Sequence, residues 1–116
     1  MSERAADPDE LVVVLTTVPD RACGERLAGT LVGERTAACG NLLDGVTSIY
    51  RWQGEVEKGS ELLLLLKTRR ALVPELFERV AQLHPYEVPE LVALPVDAVS
   101  NAYSRWVREE TTKVIA

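Results

Sequence analysis

The segment "SIYRWQGEVEKGSELLLLLKT", Ser48 to Thr68, decides how the chain can fold. Its first part alternates: Ile49, Arg51 and Gln53 fall on one face of an extended strand, and Ser48, Tyr50 and Trp52 on the other, the period-two signature of a half-buried sheet. Its last part does not. Five leucines run from Leu62 to Leu66, so whichever face of that strand meets the core, apolar side chains remain on the other face and need a cover. Gly54 and the stretch "EKGSE" let the chain reverse between the two parts, which makes the segment a long hairpin.

The flanking segments supply what packs on this hairpin. "LVVVLTTV", Leu11 to Val18, is β-branched and apolar on both faces, as a central strand is, and Pro19 ends it. Asp20 then caps a helix over about Arg21 to Arg35, with Cys23, Leu27 and Leu31 on its apolar stripe and Ala28 and Val32 beside it. "ACGNLL" is a second strand, Asp44-Gly45 a turn signal, and "VTSIYRWQ" runs on extended. Val73, Leu76, Phe77, Val80 and Leu83 recur at helical spacing, with Pro74 in a tolerated first-turn position. "HPYEVPE" holds two prolines and reads as a rigid turn, followed by the strand "LVALPV". A last helix is capped by Ser100 or Asn101 and buries Tyr103, Trp106 and Val107.

This order is that of an α+β ferredoxin-like sandwich, a split βαβ with helices on one sheet face, extended by the long hairpin and a C-terminal helix. Residues 1–9 read as a flexible tail and 10–116 as one domain, large enough to bury roughly two thirds of its unfolded surface. Helices on one face leave the other bare, and a leucine-rich bare face implies self-association unless the third helix covers it. The interface is expected at Tyr50, Trp52, Leu62, Leu64 and Leu66.

Composition narrows the partners. A net charge of −5 argues against nucleic acid and anionic membranes. No segment approaches the roughly 18 consecutive apolar residues of a membrane span, and the stretch "MSERAADPDE" reads as polar, without the apolar core expected of a secretory leader. Two cysteines, Cys23 and Cys39, are too few for a disulfide framework and read as thiols in a reducing cytoplasm. No nucleophile elbow, phosphate loop, dinucleotide fingerprint or zinc pair is present, so the residues do not point to an enzyme.

Few residues carry chemistry. Cys39 is either a soft metal ligand or a small buried hydrophobe, and Cys23, on the helix stripe, is core. His84, the single histidine, stands where the second helix ends and either caps it or offers a nitrogen to a metal. Lys67 ends an apolar strand and calls for a carboxylate such as Glu57, Glu61 or Glu90, or an anionic ligand. Trp52, Tyr50 and Tyr86 combine apolar rings with polar tips and suit an interface or a cleft.

Taken in order and spacing, "VVVLTTVPD", "ERTAACGNLLDGVTSIYRWQGEVE", "ELLLLLKT", "LHPYEVPELVALPV" and "YSRWV" resemble the CutA family of divalent cation tolerance proteins from about Val12 to Val107. The resemblance implies a homotrimer in which hairpin strands join the sheets of neighbouring subunits. It implies binding of divalent metals such as Cu(II) or Zn(II), none of them obligatory, with His84 as the matching ligand; soft-ligand chemistry adds Cys39 as the expected second contact, the alternatives being carboxylates such as Glu90 or the His84 residues of three subunits. The positions that match the copper ligands proposed in other members are Thr16, Leu83 and His84. A likeness to the trimeric PII signalling proteins implies the alternative, a small effector held in an intersubunit cleft, and the lysine that ends an apolar strand near aromatic residues points to Trp52, Lys67, Tyr86 and Glu90 as the expected lining.

Overall fold

A computed structural model describes residues 7–113. Strand β1 (Leu11–Val18) leads into helix α1 (Arg21–Gly33), then β2 (Cys39–Trp52) and β3 (Glu55–Arg69). A 3₁₀ turn (Arg70–Leu72) precedes α2 (Val73–Leu83), and β4 (Val92–Pro95) and α3 (Asn101–Glu110) complete the chain. The sheet is antiparallel with the order β2-β3-β1-β4. This is the ferredoxin-like α+β arrangement the element order predicts.

Local chemistry sets the boundaries. The Asp20 carboxylate accepts the Cys23 N–H at 2.8 Å and starts α1; the Ser100 hydroxyl accepts the Tyr103 N–H at 3.2 Å and starts α3. Helix α1 ends at Gly33, two residues short of the expected Arg35, which takes a left-handed φ of 61°. The hairpin reverses at Gln53-Gly54, both with positive φ, and β3 then runs unbroken through "EKGSE".

Asp44-Gly45, expected as a turn, is instead a bulge inside one fourteen-residue strand. Leu43 pairs with Leu63 and Val46 with Glu61, so Asp44 and Gly45 together oppose Leu62 alone. The bulge shifts the parity of β2 by one, and thereby turns Ser48, Tyr50 and Trp52 to the same sheet face as Glu61.

Of the five leucines, Leu64 and Leu66 are fully buried under α1 and α2, with Val14, Val18, Leu27, Leu31, Leu76 and Val80. The interface expected at Leu64 and Leu66 is therefore corrected: they fill the chain's own core, and Leu62 packs against it. By strand alternation the opposite face carries Leu63, Leu65 and, across the ladder, Leu43, which is 45 % exposed. Helix α3 crosses one end of that face. Its Val107 is buried with Leu11 and Ala38, and Val13 and Val96 pack against them. Tyr103 and Trp106, expected in the buried face of α3, remain partly exposed because one short helix cannot reach past the end of the sheet. Of the predicted tail, residues 1–6 lie outside the described residues; Asp7 to Asp9 form a turn whose Pro8 carbonyl accepts the Ala71 N–H at 2.9 Å.

Candidate functional site

Strand β4 pairs only with Val12 to Leu15 of β1, which leaves the edge of Thr16 to Val18 without a strand neighbour. The segment after α2 closes that edge. His84, buried at the helix end, places Nε2 2.8 Å from the Thr17 carbonyl, and its Nδ1 accepts the Tyr86 N–H at 3.1 Å. The pair of bonds selects the neutral imidazole that donates from Nε2. His84 thus joins the helix end, the strand edge and the rigid turn, and its ring packs on Tyr86 with centroids 4.7 Å apart.

With the turn so fixed, Tyr86 reaches across to β3 and donates its hydroxyl to Glu61 at 2.7 Å. Between the turn and the hairpin lies a cleft of about 570 Å³. Its floor comes from Thr17, Ser48, Tyr50, Trp52 and Glu61, and its wall from Tyr86 through Glu90. Burial works to raise the Glu61 carboxyl, but hydrogen bonds with Ser48, Tyr86 and Thr17 outweigh it and hold the group below its ordinary range. Burial first, then the bond to Glu61, keeps the Tyr86 hydroxyl protonated well beyond the usual tyrosine range.

The predicted cleft residues Trp52, Tyr86 and Glu90 come together here, and Lys67 does not. Lys67 lies six residues along β3 from Glu61, about 20 Å at the rise of an extended strand. Its ammonium donates to the Asn41 side chain, and among the described residues it forms no ion pair, so the expected bond to Glu57, Glu61 or Glu90 is replaced by an amide. The Cys39 thiol lies 3.6 Å from the same Asn41 oxygen. Tyr103 of α3 is the other neighbour; burial, followed by Cys39, raises its hydroxyl.

His84 and Cys39 are not neighbours. Cys39 belongs to the outer strand β2, at the row of Lys67 and Val13, whereas His84 sits beyond the far edge of β1 at Thr17. Among the described residues no three His, Cys, Asp or Glu side chains gather to hold a metal. Thr16 is buried in the core and Leu83 is 38 % exposed on α2, so neither adds a donor beside His84. Cys23 is core, and burial raises its thiol, as the helix stripe predicts.

Ser48 and Thr17 were not singled out as site residues by sequence reasoning, and Glu61 was named only as a candidate partner for Lys67. The signal that would have found them is the hairpin register, which sets Ser48, Tyr50 and Trp52 beside Glu61 once the bulge is counted.

The geometry can be set beside known proteins. A sequence profile described as "CutA1 divalent ion tolerance protein" matches residues 12–110. The chain belongs to that family. The divalent-cation tolerance protein CutA of Thermus thermophilus is 54 % identical over 99 residues, covering 85 % of this chain and 96 % of that protein. Human protein CutA is 41 % identical over 107 residues, 92 % of this chain but 60 % of its own length, so the chain spans less than two thirds of that relative. The crystal structure of CutA1 from Oryza sativa superposes with a TM-score of 0.86 at 40 % identity, covering 90 % of this chain and 96 % of that one. The family carries tolerance to divalent ions in its name, and that name describes no catalytic activity.

Proposed function

We propose that this CutA chain works as a cytoplasmic homotrimer in divalent-cation tolerance, as a binding protein that takes up ions such as Cu(II) or Zn(II) and not as an enzyme. The observation that carries the assembly is the sheet face of Leu43, Leu63 and Leu65, exposed at Leu43 and half-buried at the other two, which α3 covers only at one end. An apolar strip continuous with the hairpin fits burial against further copies of the chain. A contact between unlike surfaces that closes on itself gives a ring. Family membership supports the tolerance role, and two free thiols suit a reducing compartment.

Metal uptake on this reading depends on assembly. Both ring nitrogens of His84 are engaged, and no described cluster within one chain chelates a metal, so the donors come from more than one copy. Cys39, half-buried on the outer strand β2, is the soft donor placed to meet a neighbour.

Native mass spectrometry of the untagged chain, before and after one equivalent of Cu(II) or Zn(II) per chain, tests both parts. The expected result is a three-chain mass that retains metal in fixed stoichiometry, lost in Cys39→Ser and kept in His84→Ala. A monomer overturns the assembly, and a trimer that ignores both ions overturns the metal reading.

A further inference from the structure

We propose that the cleft between the hairpin and the Tyr86–Glu90 turn binds a small organic ammonium ion, its cationic head against the rings of Trp52 and Tyr86 and its charge opposed by Glu61 and Glu90. The cleft's 570 Å³ lies within the range that holds small ligands. Among the described residues, all that line it with a charge are acids, Glu61, Glu87 and Glu90. The hairpin register adds Glu55 and Glu57 to that face, opposite Trp52 and Tyr50, while the hairpin's cations Arg51 and Lys58 alternate to the other side.

Among the described residues, an anion finds no cationic side chain to hold it there. Lys67 is about 20 Å away along β3, and the Tyr86 hydroxyl is turned toward Glu61. Glu61 itself has no lysine or arginine partner among the described residues, although it is partly buried and held ionised. A half-buried carboxylate without a counter-cation, beside exposed aromatic faces, is the environment in which an ammonium group gains both charge pairing and cation–π contact. The same geometry separates this ligand class from a bare metal ion. The carboxylates are not gathered closely enough to chelate, but a quaternary or primary ammonium with an organic body spreads its charge over a larger surface and needs no converging donors.

The chain has two tryptophans, Trp52 and Trp106, so Trp106→Phe leaves Trp52 as the only indole reporter in the assembled protein. Benzyltrimethylammonium titrated into that protein is expected to change Trp52 emission saturably, whereas benzoate, similar in shape and opposite in charge, leaves it unchanged. Glu61→Gln, which keeps the side chain's volume, should weaken binding roughly tenfold, and Glu90→Gln by a smaller factor. Calorimetry on Trp52→Leu, in a Trp106-containing chain, should show the same loss without relying on fluorescence. Benzoate binding as tightly as the cation, or full affinity in both Gln variants, would overturn the proposal. So would an assembled protein that binds no benzyltrimethylammonium at millimolar concentration, because a neighbouring copy's side chain would then fill the cleft. Metal retention read in the same samples by mass spectrometry is independent of these outcomes, so failure here is distinct from failure of the tolerance reading.

Discussion

Thr16 sits in the middle of β1, fully buried among aliphatic side chains, and its hydroxyl has no hydrogen-bond partner among the described residues. A buried polar group left in that state costs stability that an apolar group of the same shape would not. Thr16→Val replaces the hydroxyl by a methyl without changing the volume or the β-branching. It should stabilise the chain by about 1 kcal/mol, a rise of a few degrees in thermal midpoint measured by circular dichroism. A lower midpoint would mean that the hydroxyl is satisfied in the folded protein. The sequence exposed His84 as a residue to watch, because it is the single histidine and it ends a helix. Which of its two readings holds could not be settled there, since both ring nitrogens find partners, Thr17 and Tyr86, that depend on where the turn crosses the strand edge.

At the scale of elements, periodicity was legible where one face was polar and silent where neither was. The alternation of Ser48 to Trp52 placed Tyr50 and Trp52 together, and the structure keeps them so. The run Leu62 to Leu66 holds no such information. Both parities are leucine, and only the packing of α1 and α2 on Leu64 and Leu66 chooses between them. The bulge was hidden for a related reason: Asp-Gly favours a turn and a bulge alike, because each uses a residue with positive φ. Two glycines test this backbone logic. A Cβ added at Gly45 or at Gly29 would meet no atom within 4 Å, so contacts do not distinguish them. Gly45 has φ +79°, and Gly45→Ala should cost about 1 kcal/mol, whereas Gly29 lies inside α1 and Gly29→Ala should stabilise by about 0.5–1 kcal/mol. Urea unfolding of the two variants gives the comparison. Equal shifts of the same sign would show that the bulge does not require the left-handed residue.

At the scale of the whole molecule, adjacent leucines separate folding from assembly. Leu64 is fully buried between the sheet and the helices, so Leu64→Asp removes about 2 kcal/mol of apolar burial and adds an unpaired charge to the core. That chain should fail to fold whatever its oligomeric state, and its failure says nothing about an interface. Leu65 points to the opposite face, beside Leu15 of β1 and Asn41 of β2, and is only half-buried in the single chain. A carboxylate there meets water in an isolated chain but becomes an unpaired charge wherever copies cover the face. Leu65→Asp should therefore keep its circular dichroism spectrum and fall from a three-chain to a one-chain mass by light scattering. An unchanged mass with unchanged melting would move the proposed interface off this face altogether. A collapse of folding in Leu65→Asp that matched Leu64→Asp would instead show that the chain cannot hold its fold without its neighbours, as in obligate oligomers. The two outcomes differ in whether native signal survives dilution of the parent chain, which the same instrument reads.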